Sequence, residues 1–131
     1  MQQTIDKTAE LTQLFNRIVP IATEKGGKTD TGTVPRTLTI NVAIPRTEQV
    51  PALRVYMPSG LNVEFSPPDA LIMGAALRVQ VQRYDGETRL TDWQLVFLNG
   101  EWKIGNTPLF DVQIEACLDR TVRFYDPSSG Q

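Results

Sequence analysis

Trp93-Gln94-Leu95-Val96-Phe97-Leu98-Asn99-Gly100-Glu101-Trp102-Lys103-Ile104 is the stretch on which the fold turns. Asn99-Gly100 is the strongest hairpin signal in the chain, because both residues tolerate the positive φ of a two-residue type I′ turn. Before it, Trp93 to Leu98 is apolar on both faces, the pattern of a central, doubly covered strand. After it, Trp102 and Ile104 begin the return strand. An antiparallel sheet is the architecture such a hairpin builds.

Working outward, the same period of two recurs. Leu38, Ile40, Val42 and Ile44 alternate with Thr37, Thr39, Asn41 and Ala43, which reads as a half-buried strand. Leu53, Val55 and Met57 repeat the pattern, as do Leu61, Val63 and Phe65, with Pro58-Ser59-Gly60 as the turn between them. Leu77, Val79 and Val81 alternate with Arg78, Gln80 and Gln82 ahead of a turn at Asp85-Gly86. Phe110, Val112, Ile114 and Ala116 form a further alternating run, and Thr121 to Tyr125 a last short one. Pro67 to Gly74 departs from the scheme and reads as a short helix started by Pro68 and ended by Gly74.

Only the N-terminal segment has helical period. Ile5, Ala9, Leu11, Leu14, Phe15 and Ile18 recur at helical spacing over Thr4 to Val19, with Thr4 as N-cap and Asp6 in the first turn. Pro20 lacks a backbone donor and disfavours helical geometry at Val19, so the helix is expected to stop or kink there. The predicted fold is therefore mainly β: an antiparallel sandwich or jelly-roll-like barrel of about seven or eight strands behind one amphipathic helix. Residues 1–24 form the helical segment, 25–36 a flexible Gly- and Thr-rich connector, 37–126 the β domain and 127–131 a polar tail, all within a single domain.

Composition excludes more than it identifies. The chain has 131 residues, enough for one domain with a core of its own. It contains no histidine, which removes Ser-His and Cys-His nucleophilic catalysis, imidazole metal ligation and the usual base near neutral pH. Cys117 is the single cysteine, so neither an internal disulfide nor a thiolate zinc site can form within the chain. A net charge of −2 gives no general attraction to nucleic acid or anionic membrane. Asp6, Glu10 and Arg17 interrupt any signal-peptide core, and no apolar run is long enough to span a membrane. A soluble protein, cytoplasmic or incorporated in a particle, is expected.

Gly26-Gly27-Lys28-Thr29 resembles the end of a phosphate-binding loop, but Ala22 stands where that motif needs glycine, a helix precedes it and a strand follows. No nucleotide is expected. Asp85, Glu87 and Asp92 gather around one hairpin without calcium-loop spacing, so no metal or other cofactor is expected. Asp111 and Glu115 share a strand face with Gln113 between them, a solvent-exposed or interface face. Cys117 borders apolar positions and reads as an inert packing residue.

What remains are surfaces. Arg78, Gln80, Gln82 and Tyr84 share one face of a strand, and Arg54 and Tyr56 share a face of another. Arginine and tyrosine are enriched in protein interfaces. On the helix, Ile5, Leu11, Phe15 and Ile18 make an apolar stripe that either covers the chain's own barrel or docks on a neighbour. These residues point to a non-catalytic interaction or assembly subunit, of the kind found in a virion, a tail or a secretion machine. A protein partner or a homo-oligomer is then expected, with no nucleic acid bound and no membrane insertion.

The twelve residues Trp93 to Ile104 also resemble the late hairpin of the NTF2-like superfamily, cone-shaped α+β domains with ligand or catalytic pockets. That resemblance implies a small-ligand domain or enzyme, with a pocket lined by Trp93, Trp102 and an acid such as Asp92. The family has three helices where this chain offers one, and often carries histidines and paired acids that are missing here. A sugar- or metal-binding sandwich is the third class open.

Overall fold

A computed structural model describes residues 7–38, 46–69, 72–73, 76–90 and 93–119. Helix α1 (Lys7–Glu24) leads into strands β1 (Lys28–Leu38), β2 (Arg46–Tyr56), β3 (Leu61–Ser66), β4 (Ile72–Met73), β5 (Ala76–Asp85), β6 (Thr88–Arg89), β7 (Trp93–Leu98), β8 (Glu101–Ile104) and β9 (Thr107–Pro108), followed by helix α2 (Asp111–Cys117). Every strand pairing is antiparallel. The strands join in one sheet of order β1-β2-β3-β5-β7-β8-β9, with β4 and β6 each paired to β5. The mainly β, antiparallel class behind an N-terminal helix is the one observed. The strands belong to a single sheet, and helices cover its apolar face.

That face is continuous across the register. Leu53 lies opposite Phe65, Phe65 opposite Val81 and Val81 opposite Trp93; Val79 lies opposite Leu95, and Leu95 opposite Ile104. All are buried, and they pack in one cluster with Leu11, Leu14, Phe15, Ile18 and Ala22 of α1 and with Ile114, Cys117 and Leu118 at α2. The hairpin of β7 and β8 turns at Asn99 and Gly100 with φ of 55° and 83°, the positive pair that selected Asn-Gly there. Strand β7 is not buried evenly on both faces: Trp93 and Leu95 are buried, Gln94 is exposed, and Val96, Phe97 and Leu98 are half-buried.

Several expectations are corrected. Helix α1 ends at Glu24, where the helical segment was expected to end, and it does not stop at Pro20. Proline removes a bond to the carbonyl four residues earlier, which belongs to Asn16; both residues are exposed, so water can take that acceptor. The segment expected as a flexible connector, 25–36, is mostly strand: β1 pairs with β2 from Lys28 opposite Tyr56 to Leu38 opposite Arg46. Its threonines are β-branched and favour that geometry. Gly27 marks the joint, because an added Cβ would sit 2.7 Å from Met57 Sδ.

The helix expected over Pro67 to Gly74 is absent from its described residues. Ile72 and Met73 form β4, which lies on the β3 side of β5 beyond the break at Pro67-Pro68; two residues without N–H groups cannot continue a ladder. The strand expected at Phe110 to Ala116 is helix α2. Ile114, Cys117 and Leu118 are its buried positions, at helical spacing, whereas Phe110 and Val112 are 55% and 66% exposed. Thr4, Ile5, Asp6, the run from Thr39 to Ile44, Thr121 to Tyr125 and the tail 127–131 lie outside the described residues.

Two arginines fasten the helices. Arg17 of α1 donates to Leu109 O at 2.7 Å and to Asp111 Oδ1 at 3.3 Å, bridging to the start of α2. Arg83, only 4% exposed, sits on the apolar face with its guanidinium 5.2 Å from the Trp93 ring. It donates to Asp119 O just past the end of α2, where the helix dipole favours a cation. Replacing Arg83 by methionine should therefore destabilise the protein by about 1–3 kcal/mol, with faster amide exchange over α2 than over β3 and β5. Denaturant melts and hydrogen exchange would check both outcomes.

Candidate functional site

The face of the sheet away from the helices carries polar side chains, and the register gathers them into rows. Lys28, Tyr56, Asn62, Tyr84 and Arg89 lie opposite one another in succession across β1, β2, β3, β5 and β6. Beside them run Asp30, Arg54, Glu64 and Gln82. The signs alternate along this second row, so each charge lies across from an opposite one, the favourable cross-strand arrangement. Arg54 Nε is 3.6 Å from Glu64 Oε2. With the arginine side chain 54% exposed, this pair contributes orientation more than stability.

Arg54, Tyr56, Asn62, Glu64 and Tyr84, with Val55 and Val63 between them, line a shallow open depression of about 190 Å³. Tyr56 is 41% exposed at its edge, one of few large apolar or aromatic side chains so placed among the described residues. The depression thus offers two aromatic rings, a cation, an anion and an amide on a rigid sheet. These groups can stack and hydrogen-bond. Among the described residues no three His, Cys, Asp or Glu side chains stand close enough to hold a metal ion.

Of the sequence-predicted surface residues, Arg54, Tyr56 and Tyr84 meet in the depression, and Gln82 lies opposite its Glu64. Arg78 and Gln80 share that face of β5 but stand in other rows, opposite Val96 and Gln94 of β7. The helix stripe goes elsewhere: Leu11, Phe15 and Ile18 are at most 4% exposed, buried against their own sheet. They are core here, not a free docking face, and Ile5 lies outside the described residues. Asn62, Glu64 and Lys28 were missed. The alternation around Leu61, Val63 and Phe65 already sets Asn62 and Glu64 on the outer face; what placed them beside Arg54 and Tyr84 is register, which one strand's sequence does not contain.

The remaining motifs lie elsewhere. Gly27 donates its N–H to Ala22 O at 2.8 Å, closing the helix end, and β1 follows immediately. Asp111 and Glu115 are exposed on α2, one helical turn apart rather than two steps along a strand. Trp93 and Trp102 are 6% and 4% exposed on the opposite, apolar face. Trp102 packs on Phe97 with ring centroids 5.4 Å apart. Asp92 lies outside the described residues.

Compared with known protein families, with curated proteins and with solved structures, the chain matches none. No helix among the described residues is long and apolar enough to cross a membrane.

Cys117, 1% exposed, is held as the neutral thiol: burial pushes its pKa up, and the nearby Arg83 guanidinium only partly opposes this. The folded thiol keeps its proton where an unfolded one, with pKa about 8.5, loses it. Stability from this group is therefore full below that pH and declines above it, by at most about 1.4 kcal/mol per pH unit. Cys117→Ala should flatten the alkaline limb of a stability–pH curve by that slope. In the native protein, Cys117 should resist a thiol reagent at pH 8 and react on unfolding.

Proposed function

We propose that the protein is a non-catalytic interaction module that binds a protein partner through the helix-free face of its sheet. The supporting observation is the convergence of Arg54, Tyr56, Asn62, Glu64 and Tyr84 around one depression, drawn from three neighbouring strands. Tyrosine and arginine are the side chains that most often dominate binding energy when a partner desolvates them. The strands beneath hold them without ordering on contact, which lowers the entropic cost of association. The setting that suits such a module is a larger assembly, a virion, a tail or a secretion machine, in which a compact domain presents one face to its neighbour.

The apolar stripe of α1 has no part in this reading, since its side chains are already consumed by the core. Lysates of the native host, passed over the immobilised chain and over a Arg54→Ser/Tyr56→Ser/Tyr84→Ser variant, test the proposal. Arg54 and Tyr56 are exposed and Tyr84 is half-buried; exposed substitutions shift stability by only about 0.5 kcal/mol each, and a thermal melt of the variant checks that it folds. A specific partner should be retained by the original chain and weakened at least tenfold by the variant, since a single hot-spot tyrosine accounts for about 2 kcal/mol or more. Equal retention by both surfaces would overturn the assignment of the site.

A further inference from the structure

Strand β1 lies at one end of the strand order, and among the described residues the N–H groups on its outer edge are accounted for except at three threonines. The parity follows from the prolines. Pro51 lies opposite Thr33 and has no N–H, so this pair cannot exchange ladder hydrogen bonds, and the alternate pairs of an antiparallel ladder share that character. Gly27, Thr29, Thr31, Thr33, Pro35 and Thr37 therefore turn their backbone groups away from β2. Three of these positions are accounted for. Gly27 N–H goes to Ala22 O, Thr37 N–H goes to Asp69 Oδ1 at 3.0 Å, and Pro35 has none to give. The hydrogen bonds agree with the parity, because both observed donors point off the sheet.

Thr29, Thr31 and Thr33 are left, and their outward N–H and C=O groups have no backbone partner among the described residues. The span is open: Asp30, Thr31, Gly32 and Thr33 are exposed, and nothing lies within 4 Å of a Cβ built on Gly32. A row of unpaired backbone groups on an edge is a template for another strand.

We infer that this edge pairs with the same edge of a second copy of the chain, antiparallel and centred on Thr31. In that register Thr31 meets Thr31 of the second copy, and Thr29 meets its Thr33 in both directions. All three pairs are reciprocal, giving about six hydrogen bonds. On the outer face Lys28 falls opposite Val34 and Asp30 opposite Gly32, so no like charges stand directly across the new seam, and each Asp30 keeps Arg54 across β2. Pro35 and Asp69 limit the seam to these positions and prevent open-ended growth along the strand. The second copy joins one sheet to another and leaves the depression around Tyr56 and Tyr84 free for a different partner.

Sedimentation of the full chain from about 1 to about 100 μM, the range of a weak short-seam dimer, tests this. The chain should form a dimer, and Thr31→Pro should remain monomeric with an unchanged melting temperature. That substitution removes only an N–H that the chain's own ladder does not use. A strictly monomeric chain, or a folded Thr31→Pro protein that dimerises as before, overturns the proposal. A second variant keeps the test decisive if Thr31→Pro misfolds. In a Cys117→Ala background, Thr31→Cys should oxidise readily to a covalent dimer, because reciprocal antiparallel pairs hold their Cα atoms about 5.5 Å apart, within disulfide range. Oxidation no faster than for an exposed Asn106→Cys control contradicts the seam.

Discussion

The packing of α1 on the apolar face of the sheet is the contact on which the rest of the molecule depends. A single antiparallel sheet with one apolar face is not a stable object in water until something covers that face. Here Leu11, Leu14, Phe15, Ile18 and Ala22 contribute much of the cover, all buried to within 4% of completely. Fully burying side chains of this size contributes about 1.5–3 kcal/mol each. Together the four large ones reach the scale of a domain's whole net stability, about 5–15 kcal/mol. The second helix completes the cover and is held to the sheet by Arg83 and to α1 by Arg17.

This division of the sheet also makes a functional surface possible. The described helices lie on one side, and the pleat sends the alternate residues to the other, where Val50, Ala52 and Ser66 are buried but the region around Arg54 and Tyr56 is open. The strands are fixed by their inward neighbours, so the outward Arg54, Tyr56, Asn62, Glu64 and Tyr84 are held on a rigid base. The prolines have a related effect at the margins. Pro35 and Pro51 sit where no ladder hydrogen bond is lost, and Pro67-Pro68 separates β3 from β4.

Much of the fold was legible because period is a local property. The hairpin at Asn99-Gly100, the alternation in β2, β3 and β5, and the helical period of α1 each declare themselves within a dozen residues. The misread segments are those where local rules were outweighed. Pro20 does not end α1, because the carbonyl it strands faces water and the residues beyond it, Ile21 and Ala22, reach the core. Thr29, Thr31 and Thr33 looked like a linker among glycines, yet pairing with β2 supplies the order their composition does not. At Phe110 to Ala116 a strand's alternation and a helix's period coincide over too few turns to tell apart; burial of Ile114, Cys117 and Leu118 decides for the helix. The candidate site was half visible. Arg54, Tyr56, Gln82 and Tyr84 stood out by residue type, whereas their union with Asn62 and Glu64 required a register set by contacts distant in sequence.

The dependence of the sheet on α1 is most directly measured by native-state hydrogen exchange, read at the amides of Leu14, Phe15 and Ile18 and at those of Val63, Val79 and Leu95 across a denaturant series below the unfolding transition. If α1 is an integral half of the core, both groups should exchange only through global unfolding, with the same free energy and the same denaturant dependence. Exchange of the helix amides through a separate opening, with the sheet amides still fully protected, would show that the sheet stands without its helix and would contradict this account.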